Sequence, residues 1–265
     1  MSRTRVAAIA AAFAVVWLIK HHYSQASAEA LRWILTPTAW LSSLVLGGDF
    51  QLLPDQGYLS REHSILISPA CAGVNFLVVA FLSLVLGFGS RFKTPGRAVG
   101  WLAGSLAVAY ATTLLVNTVR IALSVAIAHL AAHALGLTFH SVHRWIGIAV
   151  YLAGLLALCL TLQVWLSSRL GSKTQSPRDE RANPARSTLL LLALACYVLV
   201  TLVVPLLGGA AHNPDYWSHA APVSVSVGVV IALVFAARGR SWNNGRYAVR
   251  SPECLERVAE EPGSG

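Results

Sequence analysis

The sequence predicts an all-α fold: a polytopic transmembrane bundle of six to eight hydrophobic helices, some of them partial or broken. Three observations lead there. Hydrophobic residues make up 55% of the 265 residues and charged residues only 12%, about half the roughly 25% that a soluble domain carries. The charges gather in short clusters. Between them lie uncharged runs at 6–19, 33–48, 63–90, 98–119, 121–143, 145–168, 187–214 and 216–237, several of which reach the roughly 20 apolar residues that cross a bilayer. An ordinary soluble globule and a disordered chain are both excluded. The net charge of +9 sits in loop clusters that set membrane topology, which argues against a nucleic-acid partner.

Taken in order, residues 6–19 are short for a span and are extended by Arg5 and Lys20, whose stems can lie along apolar surface while the charges reach the interface. A charged start before an apolar run also fits a signal peptide. However, no small-x-small site follows directly (Ala26-Ser27-Ala28 lies nearby), so we expect an uncleaved first helix. Residues 31–46 are short and contain Pro37. Residues 72–89, 98–117, 145–166, 188–207 and 220–237 suit full spans, and 121–137 is apolar but carries His129 and His133. The stretch 171–187 is charged and rich in Pro and small polar residues, as in a cytoplasmic linker. It divides a membrane core (1–170) from a C-terminal helix pair (188–238) and a polar tail (239–265), which we expect to be poorly ordered.

Loop charge gives an orientation. Arg3 and Arg5, then Arg91, Lys93 and Arg97, then Arg169, Lys173, Arg178, Arg181 and Arg186, and finally Arg238, Arg240, Arg246 and Arg250 mark the cytoplasmic side. Asp49, Asp55 and Glu62, and later Asp215, mark the outer side. Parity then requires six full spans and two partial elements, the latter being 31–46 and one half of 98–137. Both termini fall in the cytoplasm.

Several chemistries lack their residues. There is no H-E-x-x-H, no G-x-S-x-G, and no Asp or Glu inside a confident span. Of four cysteines, Cys159 and Cys196 lie in apolar helix interiors and Cys254 in the tail. Cys71 differs. It follows an extended segment (64–67) and Pro69, which suits a helix start, so it is expected in the first turn of a helix. There the helix dipole favours a thiolate. Asn117-Thr118-Val119-Arg120 interrupts a long apolar stretch, where a charge is expensive and usually functional. His140-Ser141-Val142-His143-Arg144 opens the next span. Each feature has a plainer explanation: a small residue at a helix start, a snorkelling Arg, an interfacial His. Together, a thiol, a permanent cation and an imidazole on the outer face make a workable set for thiol-dependent acyl transfer.

Ala70-Cys71-Ala72-Gly73, Asn117-x-x-Arg120-Ile121 and His143-x-x-x-Gly147 occur in this order over about residues 60–166. In these motifs and in its hydrophobic profile the chain resembles the exosortase/archaeosortase family of polytopic membrane cysteine transpeptidases. The resemblance implies Cys71 as nucleophile with Arg120 and His143 as partners, and no metal or cofactor. Its implied partners are secreted or membrane-tethered proteins with a C-terminal sorting signal, together with membrane lipid. The implied location is a bacterial inner membrane with the site on the outer face. The chain departs from the family pattern at Asn75, where many members carry Arg or Lys. The third catalytic role stays open between His143 and its neighbours His140 and Arg144. Asn75 and Asn117 are candidates for orienting substrate or for joining helices.

Two other classes remain in view. His129, His133, His140 and His143 fall within 15 residues and are a metal- or haem-binding candidate. A helix broken at 117–120 would suit a transporter's substrate site.

Overall fold

The computed structural model describes the backbone of residues 3–89, 94–135, 139–169 and 184–249, with side chains over 3–89, 94–127, 142–168, 187–210, 212–213 and 216–236. The chain forms α1 (Arg3–Gln25), α2 (Arg32–Leu46), β1 (Gln51–Leu53), β2 (Gly57–Ser60), β3 (Ile65–Ile67), a single 3-10 turn (Pro69–Cys71), α3 (Val74–Phe88), α4 (Pro95–Leu135), α5 (Phe139–Arg169), α6 (Pro184–Val198) and α7 (Pro214–Val249). A π-helical turn (Leu199–Val203) and a further helical turn (Val204–Leu207) prolong α6. Among the described residues six helical stretches are long and apolar enough to cross a bilayer: Arg3–Gln25, Pro69–Phe88, Pro95–Ile127, Val142–Ser168, Ser187–Leu207 and Tyr216–Ala236. The protein is an all-α bundle of the transmembrane type.

The centre of the bundle is α3. Its sequence, VNFLVVAFLSLVLGF, is apolar on every side, and a helix of that kind is stable in the middle of a protein or in lipid. Here 78% of its span window is buried, against 11–33% for the other five. Helices α1, α4, α5 and α6 pack around it, and α7 closes on α5 and α6. Small residues permit the close approaches. Ala8 and Ala12 of α1 are buried against the core. A Cβ on Gly87 would run into Leu189 of α6, and one on Gly154 of α5 would lie 2.7 Å from Val116 of α4. Outward faces carry exposed Trp17, Trp40, Trp145, Trp165 and Trp217 among Leu and Val, as expected of a surface against lipid.

A second apolar cluster covers the end of the bundle where α3 begins. It joins Leu31, just before α2, and Ile34, Leu35 and Ala39 of α2 to Tyr58, Ile65, Ile67, Ala72, Val74 and Ile121. Helix α2 has 15 residues, a length of about 22 Å, too short for a bilayer core of about 30 Å. It is one of the two partial elements expected. The segment 49–62, expected only as an outer loop, holds two strands and, with Ile65–Ile67, forms an antiparallel sheet in the order β1-β2-β3. Gln51 faces Leu59, and Tyr58 and Ser60 face Ile67 and Ile65. The connections use Asp55 (φ 60°), Gly57 (φ 124°) and Ser64 (φ 51°). Strands of three and four residues leave too little alternation to be recognised in sequence.

Three expectations are corrected. The stretch 98–137 is not a span plus a separate partial half. Residues 98–135 fall in one 41-residue helix, about 61 Å long, that runs through Asn117–Arg120 unbroken. The polar residues do not end the helix because their hydroxyls bond back to it: Thr113 to Ala109 O at 2.7 Å, Thr118 to Leu114 O at 2.9 Å and Ser124 to Arg120 O at 2.8 Å. The helix is therefore not unwound at 117–120. The C-terminal helix pair is not separate from the core, because Leu189, Ala193, Leu194, Cys196, Tyr197, Val223 and Val227 share one cluster with α3. Finally, α7 continues to Val249 instead of ending near 238. The linker residues 171–183 and the tail beyond 249 lie outside the described residues.

Candidate active site

The site is built on the turn between β3 and α3. Ser68 is extended (φ −86°, ψ 171°) and Pro69 opens the turn. Cys71 N–H donates to Ser68 O at 2.8 Å and Ala72 N–H to Pro69 O at 3.0 Å. Gly73 then takes φ +73°, a left-handed conformation that a side chain resists. A Cβ there would also crowd Thr113 Cγ2, Tyr151 Oη and Asn117 Cγ at 3.2–3.4 Å. The Gly of the Cys-Ala-Gly motif is thus required twice over. Cys71 lies three residues ahead of Val74, in its own turn, and not in the first turn of α3 as expected. The left-handed residue between them separates Cys71 from the helix, and side chains of neighbouring helices hold its turn.

Those side chains come from α4 and α5. Asn117, fully buried, donates its Nδ2 to Cys71 O. Its Oδ1 accepts from Arg120 Nη1 at 3.4 Å and from Tyr151 Oη at 3.0 Å. Arg120 Nη1 also donates to Tyr151 Oη at 2.9 Å, and its guanidinium carbon lies 5.2 Å from the centre of the Tyr151 ring. Arg120 Nη2 reaches His143 Nε2 at 2.7 Å, and His143 Nδ1 lies 2.9 Å from Ser124 Oγ. An arginine offers only donors. His143 Nε2 is therefore the acceptor, Nδ1–H donates to Ser124 Oγ, and Ser124 donates onward to Arg120 O at 2.8 Å. The chain of bonds thus starts and ends on Arg120.

Gly147 explains how the arginine fits. One turn beyond His143 on α5, it is the place where a Cβ would lie 2.9 Å from Arg120 Nε. That Nε is buried and has no hydrogen-bond partner. Among the described residues Arg120 has no carboxylate partner, and its bonds go to the dipoles of Asn117, Tyr151 and His143. Ser68 Oγ approaches Cys71 Sγ at 3.9 Å. A cavity of about 270 Å³ opens beside the sulfur, lined by Ser64, Ile65, Leu66, Ile67, Cys71, Ile121 and His143.

The structure thus brings together Cys71, Arg120, His143 and Asn117. Asn75 stands at the start of α3 and accepts from Lys20 Nζ of α1 at 2.8 Å. Arg144 does not join the cluster. Its Nη1 donates to Ser218 O and Oγ of α7, both at 2.8 Å, because the residue after His143 is turned by about 100° around the helix. The side chains of His129, His133 and His140 lie outside the described residues. Among the described residues no three His, Cys, Asp or Glu side chains converge on a metal-sized site.

Sequence reasoning missed Ser124, Tyr151, Tyr23 and Lys20. The first two had a signal. Ser124 is four residues after Arg120, and Tyr151 is four after Gly147, so each shares a helical face with a motif residue. Tyr23 Oη donates to Pro69 O at 3.3 Å and holds the turn from the α1 side. The chain was compared with protein-family models, curated proteins and solved structures, and nothing matches it.

Proposed function

We propose that this protein is a membrane cysteine peptidase or transpeptidase of the exosortase kind. It cleaves C-terminal sorting signals of secreted proteins, with the site on the extracytoplasmic face of a bacterial inner membrane and both termini in the cytoplasm. One observation carries the proposal. Cys71 and His143 line a single cavity, and the His143 imidazole is held by an arginine that has no carboxylate partner among the described residues. A thiol, a proton acceptor and an uncompensated cation are the groups that acyl transfer needs.

In the resting arrangement His143 is neutral, with its Nε2 lone pair engaged by Arg120. As substrate enters, the guanidinium turns toward the carbonyl oxygen and Nε2 becomes available for the thiol proton. Cys71 Sγ attacks the carbonyl carbon, and Arg120 stabilises the oxyanion. The imidazolium returns its proton to the amine of the departing tail as the peptide bond breaks. An amine acceptor, or water, then attacks the thioester and releases Cys71 as a thiol.

The test uses a tagged secreted reporter that ends in a short motif, an apolar helix and a basic tail, taken from the same cell. Cys71→Ala is expected to abolish its processing while the protein still accumulates in the membrane. Undiminished processing by Cys71→Ala would remove the nucleophile and the proposal with it.

A further inference from the structure

The cavity beside Cys71 touches four consecutive residues, 64–67. Side chains of a strand alternate between its two faces. A cavity on one face would meet every second residue, so a cavity that meets Ile65, Leu66 and Ile67 in succession reaches the edge of the strand. That edge is open. The sheet order is β1-β2-β3, so β3 has one neighbour, β2. Among the described residues the backbone of Ile65, Leu66 and Ile67 makes no hydrogen bond outside the sheet. An unpaired strand edge is a template for another strand. Ile65 and Ile67 anchor the strand in the end cluster with Ile121, and all three also line the cavity. The strand also leads directly to the nucleophile, because the turn folds Cys71 N–H back onto Ser68 O at 2.8 Å and so keeps the thiol beside the strand's end.

We infer that the free edge of β3 binds the polypeptide substrate as an added, extended strand, which lays its scissile carbonyl beside Cys71. This deepens the proposed function and rests on it for the role of Cys71. Charge narrows the occupant. No Asp, Glu, Lys or Arg lines the cavity, and the cation Arg120 bonds His143 in its wall. A segment with apolar or small side chains, uncharged or acidic near the scissile bond, fits; a basic one is repelled. Backbone pairing makes the affinity, so the side-chain sequence is read only weakly along β3.

The inference can be tested apart from catalysis. Full-length C71S protein in lipid nanodiscs is titrated with a fluorescent pentapeptide library built from Gly, Ala, Val, Leu, Ser and Asp. The tightest member is then N-methylated at one amide at a time. In a strand, alternate residues direct both their N–H and C=O to the same neighbour. Methylation at alternate positions should weaken binding about tenfold, the scale of one lost hydrogen bond in a sequestered site, and intervening positions should change it less than about threefold. A photo-crosslinking residue at Leu66 should capture the peptide, and one at Leu52 on β1, the sheet's other edge strand, should not. No binding at millimolar peptide, a scan without alternation, or equal capture from Leu52 overturns the inference. If the scan fails while Cys71→Ala still abolishes processing, edge pairing falls and the enzyme stands. An alternating scan with undiminished Cys71→Ala processing gives the reverse.

Discussion

The bundle interior and the end cluster are built from the same apolar residue types, yet they treat a cysteine in opposite ways. In the interior, Cys159 is 0% and Cys196 4% exposed, enclosed by Leu, Val and Phe around α3. They fill space as small core residues. In the end cluster, Ala72 and Val74 are as deeply buried, but Cys71 between the sheet and α3 is half-buried and opens into a cavity shared with His143. The difference comes from the backbone. An interior thiol is covered on a regular helix, where each neighbouring turn adds apolar cover. Cys71 sits on an isolated turn ended by a left-handed glycine, and α4 and α5 bring Asn117, Arg120 and His143 to that turn. The chemistry of a thiol here is decided by which element carries it.

The sharpest way to break this contrast is at the cation. Arg120 bonds Asn117, Tyr151 and His143 at once. A lysine keeps the charge but lacks the planar fork. Arg120→Lys is expected to lower kcat/KM for reporter processing by about 10²–10³, the usual effect of losing one electrostatic stabiliser of the transition state. Arg144→Lys, at a residue that bonds Ser218 in α7, is expected to stay within about threefold of the parent, as changes away from such features do. Equal effects from the two variants would show that charge at this end of the bundle matters and the arrangement around Arg120 does not.

A smaller effect separates the two regions by glycine. At Gly147 a Cβ would lie 2.9 Å from Arg120 Nε, whereas at Gly154 it would lie 2.7 Å from Val116 in an apolar helix contact. Gly147→Ala displaces the guanidinium and is expected to lower kcat about 10–100-fold, the scale of an approximately 1 Å misplacement at a reacting centre. Gly154→Ala overpacks the α4–α5 interface and is expected to cost about 1–3 kcal/mol of stability with little effect on kcat. Thermal unfolding and kinetics on both purified variants check this. If Gly154→Ala slows turnover as much as Gly147→Ala does, the distinction fails.

Much of this was legible in sequence, and the reasons are physical. Charge-free runs of about 20 residues are required by a bilayer, so six spans and a short α2 could be counted from composition. Cys71, Arg120 and His143 stood out because reactive or charged groups are costly in apolar surroundings. The continuity of α4 was hidden, because a polar tetrad in an apolar run looks like a break until Thr113, Thr118 and Ser124 are seen to bond their own helix. The sheet was hidden by its short strands. The bond of Arg144 to Ser218 was hidden because neighbours in sequence face different partners on a helix. Lys20 was assigned to the interface, and nothing local to it shows that its Nζ reaches Asn75, 55 residues away in sequence.

The smallest expected effect lies one bond further from the thiol. Ser124, fully buried on α4, accepts from His143 Nδ1–H and donates to Arg120 O. It touches no reacting atom; it fixes which imidazole nitrogen faces Arg120 and so acts as a positioning residue. Ser124→Ala leaves the Nδ1–H without this acceptor, at a cost of about 1–3 kcal/mol for a buried donor, and the ring can relieve that cost by turning over. The expected result is a roughly tenfold lower kcat with KM nearly unchanged, because a disordered base slows proton transfer without altering substrate pairing. Ser124→Thr keeps a hydroxyl that can bond the carbonyl four residues back and should recover most of the rate. Nitrogen-15 shifts of the His143 ring provide a readout that simple loss of packing would not move: one tautomer in the parent and in Ser124→Thr, a mixture in Ser124→Ala. A threonine variant as slow as the alanine, with the tautomer unchanged in both, would reduce Ser124 to a packing residue and leave Arg120 alone to orient the imidazole.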